Sequence, residues 1–102
     1  MTAVLTQKRT EVEALCRRYG VRRLEVFGSA ATEQEQPGES DLDFLVDFGA
    51  FPPGAYADAY FGLLESLEGL FGRRVDLVVA SAIRNPYFLQ AVEQTKTLLY
   101  AA

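Results

Sequence analysis

The sequence predicts an α+β fold, a small mixed β-sheet with helices packed on one face, and three observations carry that expectation. Apolar residues recur at helical spacing in separated segments, over 2–19, over 56–71 and again after Asn85-Pro86. Short runs rich in β-formers stand between and after them, near 21–27, 42–48, 73–79 and 97–100, so the order is α-β-β-α-β-α-β. A length of 102 residues, 49% of them apolar, supports one modest core, and residues 1–102 are therefore expected to form a single domain.

The elements follow in order. Val12, Leu15, Cys16 and Tyr19 alternate with Glu11, Glu13, Arg17 and Arg18 to give an amphipathic first helix, with Gly20 as its stop. Residues 21–27 form the first strand and end at Gly28-Ser29, beyond which a short helical turn can open. Residues 32–40 carry no apolar side chain and contain Pro37-Gly38, so they are a loop. The second strand, 42–48, leads into a connector whose Gly49, Pro52 and Pro53 exclude regular structure. Tyr60, Leu63, Leu64, Leu67, Leu70 and Phe71 then mark a helix over 56–71, stopped by Gly72. In the third strand Val75, Leu77 and Val79 face one way and Asp76 the other. Asn85-Pro86 has the cap-then-proline order that opens a helix, and residues 97–100 close the chain as a strand.

Composition narrows the function. A net charge of -4 without histidine disfavours a broad nucleic-acid surface, and one cysteine, Cys16, excludes an internal disulfide framework. Histidine and clustered cysteine are missing, so any metal is expected to be oxygen-ligated, hence Mg²⁺ or Mn²⁺. The first twenty residues interrupt their apolar positions with charge and read neither as a signal peptide nor as a membrane span; the cytoplasm is the expected location.

The chemistry concentrates in residues 26–46. Asp41 and Asp43 lie two apart and share one strand face, while Leu42, Phe44 and Val46 share the other. With the first three strands as neighbours, Asp76 joins them on the open face and the Gly28-Ser29 turn lies at its rim. Three carboxylates so placed repel one another unless cations offset the charge. A pair of Mg²⁺ ions suits them, and such a pair clamps a triphosphate while activating an attacking hydroxyl. Gly28 allows close backbone approach to phosphate and Ser29 adds a hydroxyl donor. The implied reaction is in-line attack on an α-phosphate with release of pyrophosphate.

The segments Phe27-Gly28-Ser29, Ser40-Asp41-Leu42-Asp43 and Val75-Asp76-Leu77-Val78 resemble the minimal nucleotidyltransferase (MNT) family, a compact branch of the DNA polymerase β-like nucleotidyltransferase superfamily. The resemblance spans almost the whole chain. It implies the polymerase β-like fold, with Gly28 and Ser29 for the nucleotide, Asp41 and Asp43 for both metals, and Asp76 as metal ligand and candidate general base. It further implies a Mg²⁺-dependent protein adenylyltransferase that uses ATP to modify a HEPN-domain toxin, as the antitoxin of a HEPN/MNT pair. Many family members follow the Gly-Ser turn with an arginine, a small residue, another arginine and a glycine. Here Ala30, Ala31, Thr32 and Glu33 stand there, and only the small residue agrees. Each lost cation removes a phosphate contact worth about 1.5–3 kcal/mol.

Read singly, Asp-x-Asp and Gly-Ser are common in turns and loops; together with a third strand aspartate they favour a site. Glu39, Ser40 and Asp47 read as loop, cap or rim residues, and Arg84 and Asn85 as surface charge and helix cap. Phe51, Tyr56, Tyr60, Phe61, Tyr87 and Phe88 read as core and connector packing, with a partner surface as the alternative. The competing function is an MNT-fold binding module that neutralises its partner by contact alone. Modification of a small molecule is disfavoured because the chain has no room for a second, acceptor-binding domain. Self-association is compatible with the sequence.

Overall fold

The computed structural model describes residues 3–32, 41–52 and 54–102. Its helices are α1 (Ala3–Gln7), α2 (Arg9–Arg18), α3 (Ala55–Phe71) and α4 (Pro86–Thr95), and its strands are β1 (Arg23–Phe27), β2 (Leu42–Asp47), β3 (Val75–Val79) and β4 (Thr97–Ala101). Single 3₁₀ turns, Gly28–Ala30 and Ala80–Ala82, follow β1 and β3. Glu39, Ser40 and most of the polar loop lie outside the described residues.

The four strands are ordered β3-β2-β1-β4, so the first three are neighbours as expected. β1 pairs antiparallel with both β2 and β4, whereas β2 and β3 run parallel. Parallel neighbours need a crossover too long for a hairpin, and α3 supplies it.

Several boundaries differ from the sequence expectation for local reasons. The first helix is divided by a turn at Lys8, although Val12 N–H still donates to Lys8 O at 3.0 Å. The first strand begins at Arg23 because Val21 N–H turns back to Cys16 O at 2.9 Å, closing α2 through Gly20 at φ +70°. α4 opens where expected: Asn85 Oδ1 accepts from Tyr87 N–H at 2.8 Å and from Phe88 N–H at 3.3 Å.

Alternation along the strands divides their side chains between two faces. Leu24, Val26, Leu42, Phe44, Val46, Val75 and Leu77 meet Leu5, Val12, Cys16, Leu63 and Leu67 in the main core. Each large side chain fully withdrawn from water there contributes about 1.5–3 kcal/mol. Burial pushes the Cys16 thiol up to about 12, with Glu13 adding to the effect, so it packs as a small apolar group rather than a nucleophile. α3 also satisfies the outer edge of β3. The Glu68 carboxylate accepts from Val75 N–H at 3.1 Å, and the Tyr60 hydroxyl donates to Leu77 O at 2.7 Å.

The second face is only partly open, which corrects the expectation that helices lie on one face alone. Val92 of α4 packs with Phe27 and Leu45, flanked by Val78, Ala80 and Ile83. β1 is thus covered on both sides, and Glu25, 5% exposed, lies beneath α4 near Arg23 and Lys96, at 3.5 and 3.9 Å.

Candidate active site

The part of the second face that α4 leaves uncovered carries the predicted residues. β1 ends at Phe27 in extended backbone, and Gly28 follows at φ +73°, a conformation that favours glycine. A second constraint acts at the same atom: a Cβ on Gly28 would stand 2.8 Å from Asp43 Oδ2. The turn therefore lies directly against the carboxylate. Ala31 N–H donates to Gly28 O at 3.2 Å and Thr32 N–H to Ser29 O at 3.3 Å, closing the turn.

Strand register assembles the rest. Asp43 is the partner of Phe27 on one side and of Asp76 on the other. The Asp43 carboxyl is raised to about 6, first by burial and then by the charges of Asp76 and Asp41. All three acids thus act on one locus. Asp43 and Asp76 lie side by side, and Asp41 stands exposed just before β2. The charge of Asp76, secondary to burial, also raises the Tyr60 hydroxyl at the sheet edge.

Among the described residues no three acidic, histidine or cysteine side chains are gathered closely enough to hold an ion. The donor set nevertheless suits a hard divalent cation: its donors are carboxylate oxygens, and half-buried Asp43 is held above its ordinary range first by that burial and then by the charges of Asp76 and Asp41. Asp41 and Asp76 are both exposed.

Other expected roles divide clearly. Asp47 is a rim residue: Gly49 N–H donates to it at 2.9 Å and Arg22 Nε at 3.0 Å, and these contacts hold it below the usual carboxylate range. Arg84 folds back, donating to Ser81 O at 2.7 Å. With Asn85 it lines a cavity of about 400 Å³ whose other walls are Val78, Ala82, Ile83 and Phe88. Phe48 and Phe51 of the connector and Tyr56 at the start of α3 meet edge-on, whereas Phe61 and Tyr87 are 57% and 82% exposed. Ala30 and Ala31, where many family members place an arginine and a small residue, are both buried. One contact had no signal in the sequence: Gly28 N–H donates to Thr95 Oγ1 at 2.9 Å, from a residue 67 positions away.

Residues 9–99 match the model of the nucleotidyltransferase domain family. The chain is 39% identical over 83 residues to the protein adenylyltransferase MntA of Thermococcus cleftensis, covering 81% of this chain and 77% of that protein. It is 37% identical over 86 residues to a Methanocaldococcus jannaschii protein ascribed the same activity, covering 84% of each. A solved structure ascribed to a minimal nucleotidyltransferase superposes with a TM-score of 0.70 at 38% identity, over 91% of this chain and 90% of that one. A toxin–antitoxin crystal structure with AMP-PNP shares the fold at a TM-score of 0.69 and 20% identity, over 92% and 73%. Sequence match, relatives and fold agree, and the chain belongs to the minimal nucleotidyltransferase family.

Proposed function

We propose that this protein is a Mg²⁺-dependent adenylyltransferase that transfers AMP from ATP to a protein partner, acting as the antitoxin of a HEPN/MNT pair. The observation that carries this reading is the register of Phe27, Asp43 and Asp76, which puts the Gly28 turn and two carboxylates against one another. Gly28 and Ser29 would bind the phosphates, and Asp41, Asp43 and Asp76 would hold the metal. When bound, a divalent metal supplies neutralisation of phosphate charge and activation of the attacking hydroxyl. Asp76, exposed beside Asp43, is the candidate for accepting the hydroxyl proton. The partner is drawn from named likenesses: the Thermococcus cleftensis relative is named a protein adenylyltransferase, and one structural neighbour is a Shewanella oneidensis MNT antitoxin with a tri-AMPylated HEPN toxin.

Incubation with α-labelled ATP, Mg²⁺ and the product of the adjacent gene is expected to label that partner, and Asp41→Ala to abolish labelling. No transfer by the wild-type protein would sink the catalytic reading. A second reading, neutralisation by contact alone, is favoured by buried Ala30 and Ala31, which leave the start of the turn without a phosphate-binding cation. Calorimetry separates the two: micromolar ATP·Mg²⁺ affinity, lost in Asp43→Ala, is the result expected of the enzyme.

A further inference from the structure

The Gly28-Ser29 turn is tethered from outside its own segment. Gly28 N–H donates to Thr95 Oγ1 at 2.9 Å, and the Thr95 hydroxyl in turn donates to Ala91 O, one helical turn back, at 3.4 Å. Thr95 is itself fixed on both sides. Lys96 N–H closes α4 on Val92 O at 2.9 Å, and Thr97 Oγ1 donates to Thr95 O at 3.3 Å where β4 begins beside Val26. The same helix also grips the residue before the turn, because Phe88 meets Phe27 edge-on at a centroid distance of 5.9 Å. A glycine at φ +73° has no side chain with which to hold its own orientation, so these two contacts add an outside anchor to the hydrogen bonds that close the turn within its own segment.

We propose that Thr95 is a positioning residue for nucleotide binding: by accepting the Gly28 N–H it fixes the turn beside the Asp43 carboxylate. The proposal rests on the nucleotide reading of that turn. It makes α4 part of the site, although none of its residues belongs to the acidic cluster.

Thr95→Val keeps the branched shape and removes the acceptor, while Thr95→Ser keeps the oxygen. Two measurements on the full chain test the role, amide hydrogen exchange at Gly28 and calorimetric titration with ATP·Mg²⁺. Thr95→Val is expected to speed Gly28 exchange and to weaken ATP binding roughly 3- to 10-fold, the effect of one hydrogen bond. Thr95→Ser is expected to restore both to within about twofold, because the acceptor is retained. Equal ATP affinity in the wild type and Thr95→Val overturns the proposal, as does failure of Thr95→Ser to restore it. Absence of ATP binding by the wild-type protein instead overturns the nucleotide reading and this proposal with it.

Discussion

Asp43 is the residue on which the site's electrostatics converge. Its carboxyl titrates near 6 in the folded chain, against the ordinary value of 3.8 to be expected when unfolded. Between those values the unfolded chain has already released this proton while the folded chain retains it. Stability therefore falls as pH rises through that window, and above it the cost is fully present. Asp43→Asn removes the cost. After discounting for the solvent that reaches this half-buried group, the variant is expected to be more stable by about 1 kcal/mol at pH 8 and nearly unchanged at pH 4. Thermal melting at the two pH values checks this, and equal gains at both would point to a cause other than charge. The paired strand aspartates were legible from period-two spacing; that the Asp43 carboxyl would be raised was not, because burial by the turn and the partner across the sheet both arise from register.

At the scale of elements, α3 shows how one residue type acquires opposite roles along a single helix. A Cβ on Gly62 would stand 2.4 Å from Tyr19 Cε1, and Tyr19 is held by its hydroxyl contact with Ser66 Oγ at 3.1 Å. Gly69 has nothing within 4 Å of the same position. Gly62→Ala is therefore expected to destabilise, since overpacking costs about 1–3 kcal/mol and outweighs the gain in helix propensity. Gly69→Ala is expected to stabilise by about 0.5–1 kcal/mol through propensity alone. Denaturant midpoints distinguish the two signs, and a stabilising Gly62→Ala would show that Tyr19 moves freely. The helix itself was predictable from Leu63, Leu67 and Phe71, because an apolar stripe can be read from spacing. Its close contact with α2 could not be read, since spacing does not identify the neighbour.

For the whole molecule, the decisive arrangement is a sheet with α1, α2 and α3 on one face and α4 across part of the other. The acidic locus remains accessible beside α4 and below the Gly28 turn. If the carboxylates hold a divalent cation, Mg²⁺ should raise the melting temperature at pH 7.5, with stabilisation of about 1.4 kcal/mol at ten times Kd. That gain should shrink below pH 6, as Asp43 takes up the proton that competes with the metal. A Mg²⁺ effect that persists undiminished at pH 5, or that survives Asp43→Asn, would place the ion elsewhere. The same comparison with ATP present tests whether nucleotide and metal bind together.

The sequence by itself determined the order of elements, the apolar core face of β2 and β3, the glycine stops and the Asn85 cap, and it named the residues proposed for the site. Each is a local property: strand side chains alternate, helical ones recur every three to four residues, and turns require particular residues. Only the tertiary structure decided that Asp76 would lie beside Asp43, that β1 would be buried on both sides with Glu25 beneath α4, and that Thr95 would hold Gly28. Those features depend on which strands pair and on which face a helix returns to. Such choices follow from how the whole core closes, and no short window of residues contains them.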